Sequence, residues 1–153
     1  MSVVLAIIRP DAWNFPLLLH VLGAMLMVGS LVLAGSALAV AWRGGGDGMV
    51  RLGYRALLLG VVPSWILMRA GAEWIASKEG LENSDVSWIG IGFSTADGGA
   101  ALIIIATILA GLGMRRAARK PGSTGLGRAS AVLVAVLVVA YIVALWAMTT
   151  KPT

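Results

Sequence analysis

Four apolar runs, each long enough to cross a bilayer as a helix, constrain this chain more than any other feature. They cover roughly residues 16–42, 50–77, 96–114 and 130–148. A hydrocarbon core about 30 Å thick needs about 20 apolar residues at 1.5 Å each. In lipid the backbone must satisfy its own N–H and C=O groups, so runs of this kind fold as helices. The polar breaks between them are short. The expected fold is therefore all-α: a polytopic four-transmembrane-helix bundle, with residues 1–153 forming one domain. Of the 153 residues, 59% are hydrophobic and 12% are charged, against about a quarter charged in a soluble domain.

Several chemistries fall away on composition. There is no cysteine, which excludes disulfides, thiolate metal sites and cysteine nucleophiles. A single histidine excludes a His-rich metal cage. The net charge of +5 does not point to nucleic acid, because the basic residues cluster in loops between apolar runs, where membrane orientation accounts for them. The bilayer is the expected surrounding, with other membrane subunits or further copies of the chain as possible partners. Ser2–Ile8 is apolar but short, has no positive residue before it and meets Arg9-Pro10-Asp11, so it reads as a surface arm rather than a signal peptide.

Each run has its own punctuation. Asn14 and Pro16 suit the start of the first helix, and Trp13 and Trp42 bracket it as interface anchors. Gly29 and Gly35 in that run, and Ala135 in the fourth, are expected to face neighbouring helices, because small residues allow close approach. Pro63 lies inside the second run and predicts a kink that frees a carbonyl near Leu59. The stretch 89–99 is glycine-rich and predicts an irregular or re-entrant entry to the third run, with Ser94 or Thr95 as cap.

Arginines set the orientation. Arg43 and Arg51 lie in the first loop, and Arg115, Arg116, Arg119, Lys120 and Arg128 in the third, whereas the second loop is net acidic. The positive-inside tendency puts the first and third loops in the cytoplasm and both termini outside.

Against this apolar frame, Arg69 and Glu73 stand out. They are spaced i, i+4 on one helix face, at a depth where an unpaired charge costs several kcal/mol. Counting at 1.5 Å per residue, Arg69 rises about 21 Å above Arg55, Glu73 about 6 Å further, His20 about 34 Å above Arg43 and Asp97 about 27 Å above Arg115. All four thus converge on the outer third of the bundle from three helices. One reading is a structural ion network in which Arg69 pairs with Asp97 or Glu73. Another is a pocket open to the outside. In it Arg69 holds an anionic or carbonyl group, His20 and an acid move protons, and Trp65, Trp74 and Trp88 form the lining. No metal is expected, unless haem b takes His20 as one axial ligand with Met25 or Met68 as the other. Copper transfer through methionine is not supported, because the methionines form no dense cluster.

The segment Leu19-His20-Val21-Leu22-Gly23-Ala24, followed by Gly29, resembles the first helix of small bacterial four-helix integral membrane proteins. These include the copper-resistance D family, the membrane protoporphyrinogen-oxidase family and related uncharacterised families. The resemblance covers about one helix and implies a four-helix fold in a bacterial inner membrane. The haem-associated members carry further histidines or a characteristic lysine in later spans. Here there is no second histidine, and the lysines lie in loops or the tail.

Together these observations predict an accessory, interaction or small-ligand-binding membrane protein rather than an enzyme, with no cofactor. The alternative is a redox or proton-linked membrane protein, using haem or quinone, that works through His20.

Overall fold

A computed structural model describes residues 12, 14–80, 87–119 and 125–150. The N-terminal arm, Trp13 and the side chain of Trp88 lie outside the described residues. Helix α1 is Asn14–Trp42, α2 is Gly46–Glu79, α3 is Ser87–Arg119 and α4 is Gly125–Thr150. All four are long and apolar enough to cross a membrane, and no strand occurs among the described residues. The protein is an all-α four-helix bundle. Helix α1 packs on α2 and α4, and α3 packs on the same two, so chain neighbours are neighbours in space and α4 closes the ring on α1. Packing between α2 and α3 is concentrated in the Gly46–Arg55 stretch of α2 and thins along Val62–Glu79.

Small residues set both hairpins. In α3 the buried positions Ile89, Gly92, Ala96, Gly99, Ile103, Ala106, Ala110 and Gly113 alternate steps of three and four, the seam of a left-handed helix pair. Opposite them, Gly92 meets Met148, Gly99 meets the Tyr141 hydroxyl, and Gly113 lies against Gly127, where an added Cβ would stand 3.1 Å from the backbone nitrogen. The α1–α2 pair is as close. A Cβ on Gly23 would collide with the Met68 backbone, and one on Gly71 would lie 2.5 Å from the His20 nitrogen. Met27, Leu31, Leu38, Leu57, Val61, Val134 and Leu137 fill the centre. The Ser130 hydroxyl donates to the Ala106 carbonyl at 2.8 Å, so this fully buried polar group is satisfied. Outside, Val32, Leu33, Ile104, Ile108, Val139, Ile142 and Leu145 stay exposed, the surface that lipid would cover.

Helix α2 has a defect at its middle. Ala56–Val61 is a π-helix, closed by the Val62 N–H donating to the Leu57 carbonyl. Pro63 follows at once. It has no N–H to give Leu59, and its ring would crowd that carbonyl in a regular α-helix. The wider π-turn absorbs this conflict, so the expected kink takes the form of a π-turn. The helix ends at Gly80, whose φ of 67° is left-handed and whose N–H donates to the Ala76 carbonyl, a turn that glycine closes without steric cost.

Three local expectations are corrected. The third helix starts at Ser87, so 89–99 is regular helix, and Ser94 and Thr95 lie within it rather than capping it. Gly92 and Gly99 are there because α4 comes close, not because the backbone is irregular; tertiary packing overrides their low propensity. Gly29 has open space around its missing side chain, since the buried stripe of α1 runs through Gly23, Met27, Leu31, Ala34 and Leu38. Ala135 is likewise exposed, one residue past buried Val134. Gly35 does face a neighbour, with Val134 at 3.2 Å from an added Cβ.

Candidate functional site

Arg69 stands ten residues before Glu79, the end of α2, and Asp97 ten residues after Ser87, the start of α3. Each is therefore about 15 Å from its helix end, and the antiparallel pairing brings them level. The end of the bundle they share is the one opposite Arg43, Arg51, Arg55, Arg115, Arg116, Arg119 and Arg128.

One guanidinium nitrogen does most of the bonding. Arg69 Nη2 lies 2.7 Å from Glu73 Oε1 and 3.1 Å from Asp97 Oδ1. The first contact is within α2, as the i, i+4 spacing dictates; the second crosses to α3. The arginine side chain is only 20% exposed, whereas Glu73 and Asp97 are 53% and 61% exposed. The acids therefore sit at the rim and the guanidinium beneath them. Its carbon is 4.7 Å from the centre of the Phe93 ring, a cation–π contact one turn before Asp97 on the same face of α3. The other terminal nitrogen, Nη1, is buried and has no hydrogen-bond partner among the described residues.

Trp65, one turn below Arg69 on α2, donates its indole N–H to the Ala96 carbonyl at 3.1 Å. This second bridge to α3 ends beside Asp97. Tyr141 of α4 reaches the same level. It is buried close to Asp97, with its hydroxyl against Gly99 and beside the Trp65 indole. The unpaired Nη1 thus lies near where α2, α3 and α4 meet, in the part of the bundle where α2 and α3 pack least. Such atoms are rare in native interiors.

No family model matches the chain, and no curated protein or solved structure does either.

The other expected residues take different places. His20 Nδ1 is 3.0 Å from the Met68 carbonyl. A carbonyl only accepts, so Nδ1 is the donor in this bond. His20 therefore joins the cluster through the backbone residue before Arg69, and no direct contact links it to Arg69, Glu73 or Asp97. Trp74 packs edge-on against Phe15, with ring centres 6.0 Å apart, and is exposed near the end of α2. It reads as an interface anchor rather than as site lining. Among the described residues no three His, Cys, Asp or Glu side chains are grouped as a metal site.

Phe93, Tyr141 and the Ala96 carbonyl belong to the site and are not among the residues singled out in the sequence. Phe93 was legible in principle, being four residues before Asp97. Tyr141 hides in an apolar run. Only its steps of seven from Val134 and to Met148 place it on the seam facing α3.

Proposed function

We propose that the protein is an integral membrane protein that binds a small ligand at the Arg69 cluster, in the outer half of the membrane. The buried, unpartnered Nη1 of Arg69 carries this reading. An arginine cannot shed its proton, so a buried N–H of this kind calls for an acceptor. Charge narrows the choice. One guanidinium faces two carboxylates, so the cluster bears a formal excess of one negative charge. An anion would be repelled, and a neutral group with a carbonyl-type oxygen suits Nη1 better. The Tyr141 hydroxyl offers a second hydrogen bond, and the sparse packing between α2 and α3 offers entry from the lipid side. Protein extracted from its own membrane in mild detergent should carry a neutral carbonyl-bearing compound, seen by mass spectrometry of an organic extract. Arg69→Met should lose it while remaining folded. The same extract from both proteins would sink the reading.

Orientation is part of the proposal. The arginine-rich end faces the cytoplasm, the chain termini face outward, and the membrane is a bacterial inner membrane. The arginine asymmetry supports the orientation, and the resemblance of the first helix supports the choice of membrane. The chain has no cysteine, so single cysteines report cleanly. One at Asn83 should react with an impermeant thiol reagent on intact cells, and ones at Gly45 and Ser123 should not. The reverse pattern would move the site to the cytoplasmic half.

A second reading, a redox or proton-linked protein working through His20, draws on the Nδ1–Met68 hydrogen bond, which fixes the ring and leaves Nε2 as the nitrogen open to a ligand. Haem fits this chain poorly. Gly71 holds the α2 backbone against His20, leaving no slot for a macrocycle between α1 and α2 at that level, and Met25 points outward. The purified protein is expected to show no Soret band; a Soret band lost in His20→Ala would favour the second reading.

A further inference from the structure

The opposite end of the bundle holds a different kind of site. Among the described residues, none of the arginines gathered there is paired with an acid. Arg128, in the first turn of α4, lies over the Trp42 ring at the end of α1, with its guanidinium carbon 5.3 Å from the ring centre. Both flank a cleft of about 190 Å³ whose walls include Leu38, Ala41, Val50 and Asp47. A second cleft, of about 180 Å³, shares Gly113 with the first and is lined by Arg116.

We infer that this pair of clefts binds the phosphate headgroup of an anionic phospholipid. Orientation alone asks only for positive charge near the span ends, which lysine would supply as well. What is found is more specific. An indole face holds one guanidinium at the mouth of a cleft, leaving its N–H edge free for a two-point bond to phosphate. Below that mouth the walls are mostly apolar, which suits glycerol and the first acyl carbons and gives a soluble phosphate nothing. Trp42 is exposed at the end of a span, the level at which headgroups lie. Asp47 offsets one charge and sets a preference for a single phosphate over a more highly charged group. Basic pockets between helix ends are a recurring form of headgroup recognition.

Native mass spectrometry of the whole protein in detergent tests this with three probes: phosphatidylglycerol, phosphatidylcholine with the same chains, and inorganic phosphate. The wild type should retain phosphatidylglycerol at least about tenfold better than phosphatidylcholine. Arg128→Gln should weaken that binding about tenfold, the loss of one charged hydrogen-bonded contact. Arg128→Lys should fall between, and Arg116→Gln should also weaken it. Arg119→Gln removes the same charge outside both clefts and should leave binding within about twofold. Equal losses from Arg119→Gln and Arg128→Gln would overturn the site in favour of diffuse charge. Equal retention of the two lipids would overturn it as well, and inorganic phosphate binding as tightly as the lipid would overturn the lipid assignment.

Discussion

Asp97→Asn and Glu73→Gln should each cost little alone, about 1 kcal/mol or less, while the double change should cost about 3–5 kcal/mol. The reason is that both acids meet the same nitrogen of Arg69. Either can hold the guanidinium when the other is gone. Each acid is more than half exposed, so removing one leaves no stranded charge. Removing both strands an arginine that is only 20% exposed and cannot become neutral. Adding Arg69→Met to the double change should return most of the loss. Unfolding of the single, double and triple variants in detergent measures the coupling. If the double variant loses no more than the sum of the singles, water already solvates the arginine, and the acids are not what holds it.

Gly71→Leu should lower stability by at least about 3 kcal/mol, a forced overpacking with no flexible side chain to yield. The atoms in the way are backbone: the His20 nitrogen at 2.5 Å and the Pro16 carbonyl oxygen at 2.8 Å from an added Cβ. The substitution must push α1 off α2, and the His20–Met68 hydrogen bond should break with it. Gly29→Leu is the matched control. It meets open space and should change stability by no more than about 0.5 kcal/mol. A thermal midpoint equally tolerant of both changes would mean that the α1–α2 contact does not depend on these backbones meeting.

The two glycines show what the sequence reveals and what it hides. Length and apolarity announce four helices, because lipid leaves the backbone no other option. Which face of each helix looks inward is not announced, since interior and lipid are equally apolar. Glycines and alanines occur on both faces of α1 and α4, so Gly29 and Ala135 look like contacts and are not, while Gly23 and Gly71 are. The polar cluster was legible for a different reason. Charge is scarce inside these spans, and simple helical rise puts Arg69, Glu73 and Asp97 at one height. Rise does not give azimuth, however. That Trp74 turns away, that His20 touches only a backbone carbonyl, and that Tyr141 turns inward follow from how the helices are rotated.

The π-turn of α2 bears on that rotation. Across it the buried positions are Gly53, the adjacent pair Ala56 and Leu57, and Val61, before a spacing of threes and fours resumes at Ser64, Met68 and Gly71. One surplus residue is stored in this turn, and it sets the angular phase of everything beyond it. Wound as plain α-helix, the same residues would carry one extra step of about 100° and swing Val62–Glu79 by that much. Gly71 would leave His20, and Arg69 would point at acyl chains. The guanidinium therefore owes its place between two carboxylates to an irregularity about two turns away, in a stretch that carries no charge of its own.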